Sequence, residues 1–331
     1  MKIIATEFGC KFCGAKSLIK YGTSKGVQYW YCKACRRKFA DNDALPGMKT
    51  PIMEVGAALS MYYRGMSIDE IRRHLDQQYT DCPSDSTVYD WISRFTDEAV
   101  AQARKYKPKV GYVWVADETM LDIGGTKVWF WDLIDVKTRY LLASHLSYQR
   151  TSEHAKRLVE KGAEVAGKPP KVIITDKLFA YLDGIEMAFG ADTQHVQSKG
   201  FALRPNTNLI ERFHGTLKSR TKVMRGLKSP DTALLILDGW LVYYNFFRPH
   251  EALGDKTPAE KAGIDFPLKN WLDVVKQSKG AESYTSLYPL GRVSLGVPTK
   301  YNIRKSQRKR RVAKKALAGA NLSSTAVARS R

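Results

Sequence analysis

The stretch at residues 110–119, VGYVWVADET, decides the fold class of this chain. From Val110 to Ala116 it is an apolar, aromatic and β-branched run, and it stops at Asp117. A second run, at residues 172–175 within KVIITDKLFAYL, stops at Asp176 and gives way to a helical pattern. Short continuous apolar runs read as buried parallel strands, and open α/β sheets place their chemistry at the carboxyl ends of strands. Both aspartates are therefore expected at strand ends.

Residues 126–136 and 139–146 read as two more strands around a turn at 135–138. A helix over 152–166 follows, then the strand to Thr175, a helix to Phe189, and a short strand near 193–196. Three antiparallel strands followed by alternating helix and strand predict an α/β domain with a mixed sheet flanked by helices. A long helix over 231–247 closes it, with Trp240, Tyr243, Tyr244, Phe246 and Phe247 expected in the core. Trp114, Trp129 and Trp131 are also read as mostly core.

Residues 204–222, RPNTNLIERFHGTLKSRTK, supply the third acidic residue. After the poor helix formers Pro205 and Asn206, a helical pattern runs from Asn208 to about Lys222. Leu209, Ile210, Phe213 and Leu217 form its apolar face, while Glu211, His214, Gly215 and Lys218 share another. Arg212, Arg220 and Lys222 add positive charge, and Arg212, His214, Lys218 and Arg220 are read as DNA contacts. Asp117, Asp176 and Glu211 thus form a candidate cluster of carboxylates, which repel one another without a counter-charge. An all-carboxylate oxygen site favours magnesium or manganese. Glu118, Asp122, Asp132 and Asp135 are read as acidic bystanders, and Thr119 as a residue that helps shape the site.

This arrangement resembles the DDE transposases of prokaryotic insertion sequences, members of the RNase H-like, retroviral-integrase superfamily. The resemblance rests on Asp117, Asp176 and Glu211, with 34 residues between the last two, and on Lys218 seven residues beyond the glutamate. The segment YNFFRPHEALGDKTPAE, residues 244–260, strengthens it through its Tyr-Asn, Arg-Pro-His and Thr-Pro-Ala-Glu elements. What the resemblance implies is an RNase H-like catalytic core over residues 107–265. Its chemistry would be two-metal cleavage of DNA at an element's ends, then joining of the freed 3′-hydroxyl to target DNA. Asp117, Asp176 and Glu211 would hold the metal ions, and Lys218 would hold a phosphate. It also implies action as a dimer or higher multimer on DNA, in the nucleoid-associated cytoplasm of a prokaryote.

Composition points to the same partner. The 331 residues carry 54 Lys and Arg against 33 Asp and Glu, a net charge of +21, which favours a polyanion such as nucleic acid. No apolar stretch reaches the roughly 18 residues that span a membrane, and the apolar segment at the N-terminus is too short for a signal peptide. No G-x-x-x-x-G-K-[ST] stretch supports a nucleotide cofactor.

Cys10/Cys13 and Cys32/Cys35 are two C-x2-C pairs with 18 residues between them, a spacing suited to one zinc ion on four thiolates. Residues 1–40 are expected to form a zinc ribbon, with GVQYWYC as a strand and much of its stability drawn from the metal. Its basic residues suit either DNA or protein contact. Cys82 is read as an ordinary small side chain. Residues 48–105 read as three helices: 52–63, a second opened by a capping box at Ser67–Glu70 and running to His74 or Leu75, and a third from about Ser86. They resemble a helix-turn-helix, whose third helix would offer Ser86, Thr87, Tyr89 and Arg94 to a DNA groove. Residues 280–331 read as a basic tail; from Lys300 onward there are eleven Lys/Arg and no acidic residue, with Arg310 and Arg311 as DNA contacts.

Two other functions remain open at this point. A metal-dependent nuclease would share the fold, but cleavage alone needs no upstream DNA-binding modules. A catalytically silent DNA-binding regulator derived from a transposase would be marked by loss of a carboxylate, and none of the three is missing.

Overall fold

The computed structural model describes residues 4–5, 8–24, 26–198, 207–223, 227 and 229–278. The basic tail, with Arg310 and Arg311, and the helix-opening residues 204–206 lie outside the described residues.

The N-terminal module is a four-stranded antiparallel sheet of β1 (Ile4–Ala5), β2 (Ser17–Ser24), β3 (Val27–Cys32) and β4 (Lys38–Ala40) in sequential order. Two matching turns carry the cysteines. Gly14 N–H donates to the Cys10 carbonyl and Arg36 N–H to the Cys32 carbonyl, with Gly14 and Arg36 both at positive φ. A small core of Cys10, Leu18, Trp30, Cys32 and Phe39 lies beneath.

Three helices follow, α1 (Ile52–Arg64), α2 (Ile68–Tyr79) and α3 (Asp85–Ala103). Gly65 ends α1, and Ser67 with Glu70 forms the expected capping box of α2. That helix runs on to Tyr79, past the expected end near Leu75, because no breaker intervenes before Thr80, which takes the left-handed conformation.

The central sheet contains β5 (Val113–Ile123), β6 (Thr126–Asp135), β7 (Leu141–Ser147), β8 (Val172–Thr175) and β9 (Gln194–Gln197), in the order β7-β6-β5-β8-β9. β5, β6 and β7 are antiparallel, whereas β8 and β9 run parallel to β5. Gly124 and Gly125, both at positive φ, turn β5 into β6 as a two-residue hairpin requires. The connecting helices are α4 (Ser152–Ala166) and α5 (Phe179–Phe189), followed by α6 (Asn208–Val223), α7 (Pro230–Val242), α8 (Pro258–Lys261) and α9 (Trp271–Gln277). This mixed five-stranded sheet flanked by helices fits the expected RNase H-like core. The expected long helix over 231–247 is α7 followed by a π-helical turn, Tyr243–Phe247. Among the described residues no helix is long and apolar enough to cross a membrane.

Two of the closing motifs have structural work. Asn245 donates to the Leu141 carbonyl at 3.0 Å and accepts from Leu141 N–H at 2.9 Å, covering the open edge of β7 as a neighbouring strand would. Thr257 and Glu260 form the capping box of α8, with Pro258 at its first position.

One hydrophobic core runs through α1–α3 and the central sheet. Tyr63 of α1 stacks on Trp271 of α9 with ring centroids 4.4 Å apart. α3 is buried along most of its length, including Arg94, Thr96 and Asp97. The reading of Arg94 as a groove contact is therefore corrected. Its guanidinium donates to Ser278 at 2.9 Å, pairs with Glu98 at 3.3 Å and lies over Phe95. Arg94 joins α3 to the end of α9. Ser86 remains exposed at the start of α3, and Thr87 is half-buried and hydrogen-bonded to Ser84.

Gly239 sets how closely α7 approaches α1 and α3. A Cβ there would overlap the Tyr63 hydroxyl and lie 2.6 Å from Thr96 Cγ2, and those two side chains are hydrogen-bonded to each other. Gly239→Ala should lower unfolding stability by about 1–3 kcal/mol, the cost of overpacking a filled core, despite the gain in helix propensity. Urea denaturation checks this; an unchanged or raised midpoint would contradict the packing described here.

Candidate active site

Asp117 does not end its strand. β5 continues to Ile123 because β6 pairs with it along its whole length. What stops is its other neighbour: β8 pairs with β5 only from Val113 to Val115 and ends at Thr175. Asp117 therefore sits at the first open stretch of β5, and Asp176 leaves β8 at the same level. Asp176 Oδ1 accepts from Leu178 N–H at 2.9 Å, which fixes the turn into α5.

Among the described residues, Asp117, Glu118 and Asp176 bring carboxylate oxygens within 4.8 Å of one another. Glu118 is thus no bystander. Its longer side chain reaches Asp176 where β8 no longer intervenes. Arg150 Nη1 donates to Glu118 at 2.9 Å while its guanidinium lies over Trp129 at 4.5 Å. Burial raises the Glu118 carboxyl, Asp176 raises it further, and the Tyr181 hydroxyl and Arg150 oppose the rise.

Asp132 is the second residue mistaken for a bystander. It stands directly opposite Asp117 across β5 and β6, fully buried. Like charges in that register are destabilising, and His214 of α6 lies against both. Its Nε2 is 3.0 Å from Asp132 Oδ2 and its Nδ1 is 3.5 Å from Asp117 Oδ2. Burial pushes Asp132 up to about 6, opposed by His214. Burial likewise pushes Asp117 up to about 7; His214 pulls it down, while Glu118 and Asp176 add to the rise.

α6 is held by Ile210, Phe213 and Leu217, all buried. That packing turns His214 inward, so the reading of His214 as a DNA contact is corrected to a buried link between two carboxylates. Arg220 is also buried, with its guanidinium over the Tyr62 ring at 4.2 Å, and it offers nothing to a DNA surface. Arg212 and Lys218 are exposed. Glu211 lies outside the carboxylate cluster: it is half-buried near the start of α6 and accepts from Thr207 Oγ1 at 2.8 Å. Among the described residues, Asp117 and Asp176 thus come together with Glu118, while Glu211 does not join them: the inward-packed stripe carries His214 to Asp117, and Glu211 sits one turn earlier.

The cluster's donors suit a hard divalent cation. They are all carboxylates and close enough to repel one another. The cysteine cluster suits a different ion. Its four sulfurs lie within 4.8 Å of one another, with Cys10–Cys35 at 3.6 Å and Cys13–Cys32 at 3.7 Å. A tetrahedron with Zn–S bonds of about 2.3 Å has sulfur–sulfur edges of roughly 3.8 Å.

A carboxyl whose pKa is raised on folding binds its proton more tightly in the folded state than in the unfolded one. Its contribution is lost as pH rises from the ordinary carboxylate range through the folded value. In magnesium-free buffer, Asp117→Asn should therefore be more stable than wild type at pH 8 by on the order of 1–3 kcal/mol, with the gap closing toward pH 4. Denaturant unfolding across that range checks this, and a gap independent of pH would contradict it.

Residues 111–250 match the model of a protein family described as a DDE domain. Among solved structures, the chain is similar to the catalytic core domain of HTLV-2 integrase in complex with magnesium, in its trimeric form. That match has 18% identity and a TM-score of 0.37, and covers 47% of this chain and 97% of that one. It is also similar to the catalytic core domain of BIV integrase, with 16% identity, a TM-score of 0.35, and coverage of 46% and 93%. A third similarity is to the simian T-cell lymphotropic virus intasome in complex with the PP2A regulatory subunit B56 gamma, with 14% identity, a TM-score of 0.35, and coverage of 74% and 80%. No curated protein matches the chain. The matched residues 111–250 contain Asp117, Glu118, Asp132, Asp176 and His214, so the stretch similar to a DDE domain is the one that carries the carboxylate cluster.

Proposed function

We propose that this protein is a DNA transposase that binds the ends of a mobile element, cleaves there, and joins the freed 3′-hydroxyl to target DNA. The observation that carries this reading is the group of desolvated carboxylates at the open edge of β5, inside a DDE domain. The net charge of +21 supports DNA as the substrate. A multimer pairing two element ends belongs to the same proposal.

Asp117 and Asp176 would hold magnesium or manganese, with Glu211 completing the acidic set from α6. Bound divalent ions would make a water or 3′-hydroxyl a better nucleophile and stabilise the leaving oxygen. In the joining step, the 3′-hydroxyl oxygen forms a bond to phosphorus as the opposite phosphorus–oxygen bond breaks in line, and the hydroxyl proton passes to solvent. His214 keeps Asp117 oriented through its contact with Asp132. Lys218, exposed on the same flank of α6 as Glu211, would hold a phosphate near the reacting one. The exposed start of α3, with Thr87, is the remaining candidate for a groove contact from the N-terminal helices.

A second reading of the third ligand rests on one observation: Glu118, and not Glu211, lies beside Asp117 and Asp176. Strand transfer of a labelled element end into plasmid DNA separates the two. Asp117→Ala and Asp176→Ala should each reduce joining at least about 100-fold while DNA binding persists, since even residues that only orient a metal ligand cost about 10–100-fold. Glu211→Gln should do the same, and Glu118→Gln should retain more activity. The reverse order would assign Glu118 as the ligand. Cleavage without joining by the wild type would leave a nuclease, and binding with neither step would leave a regulator.

The four cysteines would hold one structural zinc ion. Zinc content should be one per chain, and Cys13→Ser or chelation should release it and render residues 8–40 sensitive to protease. Protection that persists without metal would show that the small core folds unaided.

A further inference from the structure

Of the three closing motifs, Asn245 and Thr257–Glu260 serve the fold. The backbone of His250 does so too by pairing with Lys256, but the side chains of Arg248 and His250 turn to a groove. The groove has a volume of about 610 Å³, and its other charged walls are Arg139 and Arg212. Three separate elements supply these cations: the turn between β6 and β7 gives Arg139, α6 gives Arg212, and the segment after the π-helical turn gives Arg248 and His250. Such convergence is costly without an anion, and among the described residues none of the three arginines has a carboxylate partner.

The groove is also built. Tyr244, buried, meets the His250 ring edge-on at 4.7 Å. His250 Nε2 is buried with no hydrogen-bond partner. Burial, then Arg248 and Arg139, push His250 down to about 4, so its ring is neutral at pH 7. Thr216 and Ser219 form a low wall, their hydroxyls returned to carbonyls of their own helix at 3.0 and 2.8 Å. At 100° per residue, Arg212, Thr216 and Ser219 share a flank of α6 about a third of a turn round from Glu211 and Lys218. None of the carboxylates of the acid cluster lines the groove.

We propose that this groove is a second DNA site, in which Arg139, Arg212 and Arg248 grip backbone phosphates of a duplex segment away from the reacting one. Guanidinium groups suit that role, presenting paired donors to phosphate oxygens. The proposal rests on the transposase reading and deepens it: one flank of α6 serves the chemistry and the other holds DNA in register.

The test is a fluorescence-anisotropy titration of the full chain with a labelled duplex across a range of salt. Arg139→Ala, Arg212→Ala and Arg248→Ala should each lower affinity for duplexes of any sequence. Each should also flatten the slope of log K against log salt by about 1, as loss of one phosphate contact does. Arg212→Glu, on an exposed position, should weaken binding further while leaving the circular dichroism spectrum and melting temperature unchanged. Folded variants with wild-type affinity and slope would overturn the groove. If Asp117→Ala still abolished joining, the transposase reading would survive that result. A wild-type chain that bound no duplex would overturn both.

Discussion

Two carboxylates facing each other across the middle of a sheet, Asp132 fully buried and Asp117 partly so, are the constraint on which this structure depends. Asp117 and Asp132 are held in that register by β5 and β6, and neither can escape without breaking the ladder. His214 relieves the conflict by touching both. α6 must therefore pack so that His214 points inward, which it does through Ile210, Phe213 and Leu217. Phe213 in turn meets Trp240 and Tyr244, with ring centroids 5.2 and 5.1 Å away. These fix α7 and the π-helical turn, and α7 closes on α1 and α3 only because residue 239 has no side chain. The helices that precede the DDE domain in sequence thus belong to the support of its acidic site.

The chain departs from ordinary folding rules where its chemistry is expected. Elsewhere its sequence is locally consistent: capping boxes open α2 and α8, glycines close the hairpin of β5 and β6, and Asn245 covers an edge strand. At the open edge of β5, however, acidic groups crowd together. Like-charged groups crowded together within a fold whose caps and turns are locally consistent mark a site where binding rather than folding sets the residue choice.

Much of this was legible in the sequence. The helix over 152–166, the strand at 172–175 and the capping box at Ser67 fall where pattern and caps place them, because these signals are local. What pattern could not supply was neighbourhood. A strand's apolar run shows where it is buried, not where its partner stops, so Asp117 was expected at an end and lies at mid-strand. Glu118 and Asp132 looked like bystanders because their roles depend on cross-sheet register and on the length of β8. Arg94, His214 and Arg220 looked exposed because charged residues usually are. Each is instead buried against a specific partner, Glu98, Asp132 and Tyr62 respectively. A cation seated on a tyrosine leaves no trace in helical periodicity.

Thermal unfolding of the zinc-loaded protein with added manganese asks whether the acidic edge of β5 is a divalent-cation site. Binding to the folded state alone should raise stability by about 2.7 kcal/mol at a hundredfold excess over the dissociation constant. A manganese-dependent rise in melting temperature is expected for the wild type and none for the Asp117→Asn, Asp176→Asn double variant. An equal rise in both proteins, or none in either, would contradict it.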